Sequence, residues 1–441
     1  MSTSTCEHPP SKTMSVTVPS VTSPSPFLTS LLPHLPSTHT DVGLPVSLIY
    51  DMKLYKSTLQ SIKDSFPGVN NAIAMKANPV KPLLKIAREM GFGIECASPG
   101  ELRHALNLSF PVSKIVYDSP CKTTSDIREC LKLGVHMNCD NFQEIERVNE
   151  VIEELGGSES CVGVRVNPQL GGGKIKETGT IARTSKFGVP MEMKGELIEC
   201  FKKYTWLRSV HCHVGSQGCA VDLLVLGAKS AYELAEEING VLGERRIQVL
   251  DIGGGMPVDY GSDEVTEETV TPETYIAALK SQIPELFTYS LITEFGRYVS
   301  SKSGVMVSRC EYTKSAGGRK IAIIHAGADC FLRTCYTQNW PHRVSAWTEE
   351  GVFMDPKEGT EQTDVVGPLC FRGDIIAEDV PLPKGLDQGC MVCVHDAGAY
   401  SIAMFSKYNS RQIPTVYGFE DGVLEVLVEG ESIEDSLKTW G

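Results

Sequence analysis

Lys76 lies where a short apolar segment gives way to a proline, a setting that could support covalent chemistry. Residues 71–75 are small and mostly apolar, which is typical of a buried strand, and Pro79 ends the extended run. A lone ammonium there is costly unless it is neutralised or hydrogen-bonded. Because desolvation lowers the pKa of an amine and makes it a nucleophile, attachment of a carbonyl cofactor would explain Lys76. A strand-end lysine whose ammonium reaches solvent is the structural alternative.

Four later segments carry groups suited to binding an aromatic ring and a phosphate. They are residues 211–217 (HCHVGSQ), 251–255 (DIGGG), 294–297 (EFGR) and 396–400 (DAGAY). A glycine turn lets main-chain amides approach an anion, and hydroxyls and a guanidinium add further donors. The candidate phosphate-binding residues are Gly253, Gly254, Gly255, Ser216, Arg297 and Tyr400. A glycine triplet alone is more often a plain turn, but this one follows an apolar strand-like run.

Length, charge and cysteine content bound the kind of protein. A chain of 441 residues predicts two domains, and a net charge of -14 argues against nucleic acid or an anionic membrane as a partner. No apolar run is long enough to span a bilayer. The fifteen cysteines are scattered without metal-ligand spacing, so we expect no metal site and a reducing, cytoplasmic compartment.

Residues 1–40 differ from the rest of the chain. They are rich in Ser, Thr and Pro, nearly uncharged, and without helical or strand periodicity. Such a composition predicts a disordered tail. The segment lacks the apolar core of a secretory signal and contains no arginine, so a plastid transit peptide is the weaker interpretation.

The remaining chain shows two textures. From about residue 45 to 300, short apolar runs alternate with amphipathic stretches, which predicts parallel strands closed into a (β/α)8 barrel. An open doubly wound sheet is the alternative, although the glycine triplet does not form a dinucleotide fingerprint. Residues 301–441 predict an antiparallel β domain, joined by a strand from residues 40–50. Active sites of such barrels lie at the carboxyl ends of the strands, where the residues above fall.

Six motifs in this order resemble the fold-type III pyridoxal-phosphate decarboxylases, which have an alanine-racemase-like barrel and include the diaminopimelate, ornithine and arginine decarboxylases. The motifs are residues 74–79 (AMKANP), 211–217 (HCHVGSQ), 253–255 (GGG), 294–297 (EFGR), 367–370 (GPLC) and 398–400 (GAY). The resemblance covers about residues 45–420. Residues 165–168 (RVNP), 185–188 (SKFG), 365–370 (VVGPLC) and 408–411 (YNSR) are most similar to the diaminopimelate enzymes. Residues 119–122 (SPCK) are more similar to the ornithine enzymes.

The resemblance implies roles for individual residues. Pyridoxal 5'-phosphate would be attached to Lys76, with His213 stacked on its ring. Glu294 would face the pyridine nitrogen and keep the ring protonated. Cys370 would come from the partner subunit and protonate the carbon that lost carbon dioxide, which implies a homodimer with shared active sites. His211 has no clear role and is interpreted as a core residue.

Substrate recognition follows the family only in part. The candidate substrate-binding residues are Arg297, Arg333, Tyr336, Phe371 and Tyr400. Arg333 matches the arginine that holds the distal carboxylate of the substrate. Phe371 stands where the diaminopimelate enzymes usually carry a glutamate, and Tyr336 comes one residue before the expected position. Phe295 replaces a proline, which leaves both neighbouring charged residues in place.

The sequence therefore predicts an amino-acid decarboxylase, a carboxy-lyase that uses pyridoxal phosphate. The leading substrate is meso-diaminopimelate, which would give L-lysine. Ornithine, arginine, or an amino acid with an acidic or apolar end are alternatives, and Arg333 would repel the amine of ornithine. Two alternatives lie outside the decarboxylases: a non-catalytic homologue and an amino-acid racemase.

Overall fold

The structure is a computed structural model that describes residues 21–35, 45–171, 179–337 and 342–441. Its strands are β1 Val46–Asp51, β2 Asn70–Ala74, β3 Gly93–Cys96, β4 Ile115–Tyr117, β5 His136–Cys139, β6 Val162–Asn167, β7 Val189–Pro190, β8 Leu207–His211, β9 Val249–Asp251, β10 Ser290–Phe295, β11 Gly304–Ala316, β12 Arg319–Ile324, β13 Val344–Trp347, β14 Thr360–Val366, β15 Ile375–Pro383, β16 Met391–Val394, β17 Thr415–Glu420 and β18 Val423–Val428. Its helices are α1 Pro26–Leu31, α2 Met52–Ser65, α3 Lys81–Glu89, α4 Pro99–Asn107, α5 Thr124–Leu133, α6 Phe142–Leu155, α7 Lys194–Lys203, α8 Val221–Leu242, α9 Pro272–Gln282, α10 Arg297–Ser300, α11 Leu332–Thr337 and α12 Ile433–Leu437. Within these ranges, no helix has the length and apolar character needed to cross a membrane.

Eight parallel strands close into a barrel. They follow the order β5, β4, β3, β2, β10, β9, β8 and β6, and β5 pairs with β6 to complete the ring. β7 is a short addition that pairs with β6. The predicted (β/α)8 barrel is confirmed, and the open doubly wound alternative is wrong because both ends of such a sheet would remain unpaired.

Local sequence signals begin and end the helices that surround the barrel. α5 begins with a capping box of Thr123 and Asp126, and it ends at Gly134, which adopts a left-handed conformation. α4 begins after Ser98, whose side chain accepts a hydrogen bond from the main-chain N–H of Glu101. The N-caps fix where the loops after β3 and β4 end and the next helices begin.

The second domain is a nine-stranded sheet in which β1 is central although it precedes the barrel in the chain. The main path runs β15, β14, β12, β11, β1, β17 and β18, while β16 pairs with β11 and β13. Most neighbours are antiparallel as predicted, but β1 pairs with β17 and β12 with β14 in parallel. The chain thus begins this domain, builds the barrel, and returns to finish the sheet.

The expectation of a disordered tail over residues 1–40 fails for its described part. Ser25 caps α1, Pro26 occupies its first turn, and Leu28, Leu31 and Leu32 are buried. These leucines pack against the outer face of the β domain, in a cluster that includes Ile49, Val305, Trp347 and Phe419. Three buried leucines contribute several kcal/mol, at about 1.5–3 kcal/mol each, which offsets the ordering of a short segment. Residues 1–20 and 36–44 lie outside the described residues.

Candidate active site

A cavity of about 370 Å³ lies at the carboxyl ends of the barrel strands, between the barrel and the β domain. It is lined by Ala74, Lys76, Ala97, Asp118, Pro120, Arg165, Thr180, Lys186, Phe187, His213, Ser216, Gly255, Met256, Glu294, Phe295, Gly296, Arg297, Tyr298, Arg333 and Tyr400. Eight of the residues predicted from sequence therefore meet at one place: Lys76, His213, Ser216, Gly255, Glu294, Arg297, Arg333 and Tyr400.

Lys76 lies in a single 3-10 turn, Met75–Ala77, that follows β2 directly. Its ammonium makes a short ion pair with Glu95, which lies in β3 one residue before the strand ends and is fully buried. Burial lowers the pKa of Lys76, but the carboxylates of Glu95 and Glu294 outweigh burial and leave the pKa raised. The prediction of a depressed lysine pKa is thus wrong for the cofactor-free protein, since the nearby carboxylates were not foreseen.

Glu294 is buried near the end of β10 with two histidines next to it. Its Oε2 lies 3.5 Å from His211 Nε2 and 3.8 Å from His213 Nδ1. Burial would raise the pKa of Glu294, but His211 and Lys76 hold that pKa well below its usual range. Oε1 is buried and has no hydrogen-bond partner among the described residues. Glu294 is therefore an ionised carboxylate with one oxygen still unsatisfied.

His213 is a neutral ring at the edge of the cavity. Its Nδ1 accepts a hydrogen bond of 3.0 Å from the main-chain N–H of Gly254, so the remaining proton lies on Nε2. Burial, aided by the charge of Arg165, lowers the pKa of His213 to about 3. A neutral imidazole fixed through the main chain suits packing against a ring rather than proton transfer.

The glycine triplet is required by close packing. Gly253 and Gly255 have positive φ values of 65° and 105°, and a Cβ atom on Gly254 would lie 2.2 Å from the carbonyl oxygen of Glu294. Two of the three amides are already engaged, because Gly253 N donates to Asp251 and Gly254 N to His213. Of the three glycines, Gly255 lines the cavity. The anion nest predicted for all three amides is therefore reduced to one.

Arg297 and Arg333 both pack against the Tyr400 ring. Each guanidinium carbon is 4.5 Å from the ring centroid. Arg297 is anchored by hydrogen bonds of 3.0 Å to the Ser216 carbonyl and 2.7 Å to the Tyr260 hydroxyl. Burial and the neighbouring Arg297 lower the pKa of Arg333. Two cations in one wall make this part of the cavity a site for anions.

Tyr400 connects the β domain to the lysine turn. It has a positive φ of 57°, and its main-chain N–H donates a 2.9 Å hydrogen bond to the Ala77 carbonyl. This unfavourable conformation for a tyrosine is held by contacts on both sides. The far wall of the cavity is thus fixed relative to Lys76.

Cys370, Phe371 and Tyr336 do not line the cavity of their own chain. Cys370 is exposed, and its main-chain amide and carbonyl are held by Asn409 and Tyr408. The rings of Tyr336 and Phe371 stack with centroids 4.6 Å apart at an angle of 14°. The structure therefore separates these three predicted site residues from Lys76 within one subunit.

Sequence reasoning missed three charged residues of the site: Glu95, Asp118 and Arg165. Arg165 donates a 3.1 Å hydrogen bond to Asp118 and stacks over the Phe187 ring at 4.5 Å. Glu95 and Arg165 lie in the carboxyl-terminal halves of β3 and β6, and Asp118 directly follows β4. That position was a usable signal, since charged residues at strand ends of a parallel barrel face its mouth.

Two further departures from the family pattern have structural explanations. Phe295 is buried and packs edge-on against Phe66, with centroids 5.5 Å apart, so it fills the core beside the barrel. Lys122, in the segment similar to ornithine enzymes, forms a buried 2.7 Å ion pair with Glu144. Phe295 also lines the cavity with an apolar surface, whereas Lys122 is not among its lining residues.

The residues present fit pyridoxal phosphate. The unsatisfied Glu294 Oε1 provides the acceptor that a protonated pyridine nitrogen needs, and His213 offers a flat, neutral ring. The lack of a side chain on Gly254 and Gly255 permits close approach, and Ser216 and Arg297 lie beside this turn. A parallel barrel with these groups at its mouth defines the barrel class of pyridoxal-phosphate enzymes.

Comparison with known proteins identifies the family. Residues 53–301 match the model of the "pyridoxal-dependent decarboxylase, pyridoxal binding domain" family. That span exceeds half of the chain, and the protein belongs to this family of pyridoxal-phosphate-dependent decarboxylases. The predicted family, cofactor and enzyme class are confirmed.

Similar proteins extend over most of the chain. It is 30% identical to a diaminopimelate decarboxylase of Bacteroides thetaiotaomicron, over 83% of this chain and 94% of that one. It is 29% identical to a diaminopimelate decarboxylase of Helicobacter pylori strain J99, over 88% of this chain and 93% of that one. The crystal structure of the H. pylori enzyme with L-lysine has a TM-score of 0.81 at 27% identity, covering 90% of this chain and 97% of that one.

Proposed function

We propose that this enzyme decarboxylates meso-diaminopimelate and forms L-lysine. The observation that carries the proposal is the pair of guanidinium groups, Arg297 and Arg333, that pack against the Tyr400 ring. A phosphate neutralises one of them, and a substrate with a second carboxylate suits the other. An amine at the same place would be repelled, which disfavours ornithine. The similarity to diaminopimelate decarboxylases supports the same assignment.

We assign roles to the residues of the cavity as follows. Lys76 is the attachment point of the cofactor, His213 packs against its ring, and Glu294 bonds its pyridine nitrogen. When bound, pyridoxal phosphate accepts the electron pair that remains when carbon dioxide leaves. Glu294 supports this by staying ionised, because His211 and Lys76 hold its pKa low.

An amino acid with an acidic or apolar end is the second candidate. Phe371 stands in place of a carboxylate and stacks on Tyr336, so this pair offers no anion for a distal ammonium. A substrate with an acidic end would keep the carboxylate that Arg333 binds, and a substrate of either kind would lack the second amine of diaminopimelate.

Carbon dioxide release from a panel of amino acids tests the assignment. We expect the purified holoenzyme to turn over diaminopimelate at least about tenfold faster than lysine, ornithine, arginine or glutamate. In Arg333→Gln, KM for diaminopimelate should rise about tenfold or more because a charged hydrogen-bond partner of the carboxylate is lost. Arg319→Gln, on the rim of the β domain, is the matched control and should retain the parental KM. Faster release from glutamate, or an unchanged KM in Arg333→Gln, would contradict the proposal.

We also propose a homodimer in which each active site is completed by the partner subunit. Cys370 is exposed and lies outside its own chain's cavity, and no cysteine lines that cavity among the described residues. A thiol that protonates the product carbon must therefore come from a second copy of this chain. Free thiols throughout the described residues support a reducing compartment, and we infer the cytoplasm.

A further inference from the structure

His211 was expected to be a packed core residue, but it lies between two carboxylates. It ends β8 and is fully buried. Its Nδ1 lies 3.5 Å from Asp118 Oδ2, and its Nε2 lies 3.5 Å from Glu294 Oε2. Neither ring nitrogen has a closer hydrogen-bond partner among the described residues. The His211 ring thus bridges the carboxylates of Asp118 and Glu294 at the edge of the cavity.

This arrangement determines the protonation state of the ring. A neutral imidazole keeps one lone pair, which would face a carboxylate and be repelled, whereas an imidazolium presents N–H groups to both oxygens. Burial lowers the pKa of His211, but Asp118, Asp251 and Glu294 outweigh burial and raise the pKa to about 9. The charged and titratable groups around it are Asp118, Arg165, Asp251, Glu294, His136 and His213.

The surrounding charges are arranged so that Glu294 is the acid most dependent on His211. Asp118 has a second cation, since Arg165 donates to its Oδ2 at 3.1 Å. Asp251 accepts hydrogen bonds from the Gly253 N–H and the Asn138 side-chain amide, and burial raises its pKa well above its usual range. Lys76 is the other cation that lowers the pKa of Glu294, and Lys76 is also the residue to which the cofactor would attach.

We propose that His211 is a positioning residue that keeps Glu294 ionised and holds its Oε2, so that Oε1 faces the cofactor. The two oxygens of Glu294 support this division, since Oε2 lies beside His211 and Oε1 is buried without a partner among the described residues. His211 balances the charge of Glu294 without taking part in cofactor attachment, which would occur at Lys76. The inference rests on the proposed role of Glu294 and is independent of which amino acid is the substrate.

His136 provides a matched control because it is another buried barrel histidine with a different environment. Its Nε2 lies 3.2 Å from the side-chain oxygen of Asn138, and burial lowers its pKa to about 4. His136 is therefore neutral and does not contact Glu294. Replacing it removes a similar volume from the same barrel without removing a charge.

The first test needs no substitution. Histidine NMR of the cofactor-free wild-type enzyme should find one buried imidazole, absent in His211→Gln, that stays protonated at pH 7 and loses its proton near pH 9. Asp118→Asn should lower the pH of that transition by about one pH unit or more. A His211 that is neutral at pH 7 in wild type would overturn the proposal, whether or not the variants fold.

The second test follows the cofactor ring in the holoenzyme, with pyridoxal phosphate labelled with ¹⁵N at the ring nitrogen. At pH 8 we expect a protonated ring nitrogen in wild type and His136→Gln, and a neutral one in His211→Gln and Glu294→Gln. His211→Gln should reduce kcat about tenfold relative to wild type. In the Glu294→Gln background the same substitution should reduce kcat less than about twofold, because both residues act on one charge. A protonated ring in His211→Gln but not in Glu294→Gln refutes the role of His211 alone. A protonated ring in Glu294→Gln refutes the role of Glu294 itself.

Discussion

Lys76 is positively charged in the cofactor-free protein, and that charge controls how the cofactor can attach. The neutral amine is the nucleophile, so the ammonium must lose its proton first. Glu95 is the contacting acceptor, and burial raises the pKa of its carboxyl toward the range in which it can hold a proton. Glu95 can therefore accept the proton that Lys76 loses and hold it next to the reacting nitrogen.

Glu95→Gln should change the pH dependence of cofactor attachment. Without the carboxylate, burial lowers the pKa of Lys76, so the rate of attachment should reach its plateau about one pH unit or more lower than in wild type. Stopped-flow absorbance of cofactor-free protein mixed with pyridoxal phosphate measures this rate. Glu89→Gln, on the exposed side of α3, is the control. Identical profiles for Glu95→Gln and wild type would exclude Glu95 as the controlling group.

A site residue could be predicted from the sequence when it lay at the end of a recognisable strand. Lys76, Glu294 and Arg297 each follow an apolar run and carry charge, so strand ends and barrel geometry were enough to group them. Glu95 and Asp118 stand in equally short runs but needed the closure of the barrel to bring them beside Lys76. His211 looked like a core residue because periodicity reports burial and says nothing of the charges inside the barrel.

The turn after β9 is the element in which local geometry has the largest effect on the site. Gly254→Ala places a Cβ atom 2.2 Å from the Glu294 carbonyl oxygen, so β10 must shift. We expect a loss of about 1–3 kcal/mol in the free energy of unfolding and weaker cofactor binding. Gly240→Ala, in α8 with nothing near its Cβ position, should instead be neutral or stabilise by up to about 1 kcal/mol.

Denaturant unfolding and cofactor titration of the two glycine variants provide the comparison. If Gly254→Ala binds pyridoxal phosphate as tightly as Gly240→Ala, the turn does not position the site. Both substitutions add one methyl group, so the difference between them isolates the contact with β10.

Helices and strands could be predicted where the hydrophobic periodicity was strong. Strand pairs between residues far apart in sequence could not be predicted. The repeated strands and helices of residues 45–300 indicated the barrel, since each unit carries its own apolar run. α1 was missed because six residues give too short a pattern in a segment rich in Ser and Pro. The parallel pair of β1 and β17 joins residues far apart in sequence, and no local signal predicts it.

At the scale of the whole molecule, a shared active site predicts complementation between inactive subunits. Lys76→Ala lacks the cofactor attachment point, and Cys370→Ala lacks the proposed acid. A dimer of one of each contains one site with both residues intact. After subunit exchange in an equal mixture, random pairing gives about a quarter of wild-type activity.

Decarboxylation assays on the mixture and on each variant alone measure this recovery. As controls, Cys370→Ala should retain the absorbance of the lysine-bound cofactor and Lys76→Ala should lose it. These spectra verify that only Lys76→Ala lacks the attachment point. If the mixture stays as inactive as its components despite proven exchange, Cys370 serves its own chain or has no role.

The central place of β1 bears on how the protein is made. β1 leaves the ribosome before the barrel, but its parallel neighbour β17 follows only about 360 residues later. At typical translation rates of about 5–20 residues per second, this interval lasts roughly 20 to 70 seconds. During that time the apolar strand β1 lacks this neighbour and can associate with other polypeptides. Synthesis is therefore the stage at which the protein is most exposed to aggregation and most dependent on chaperones.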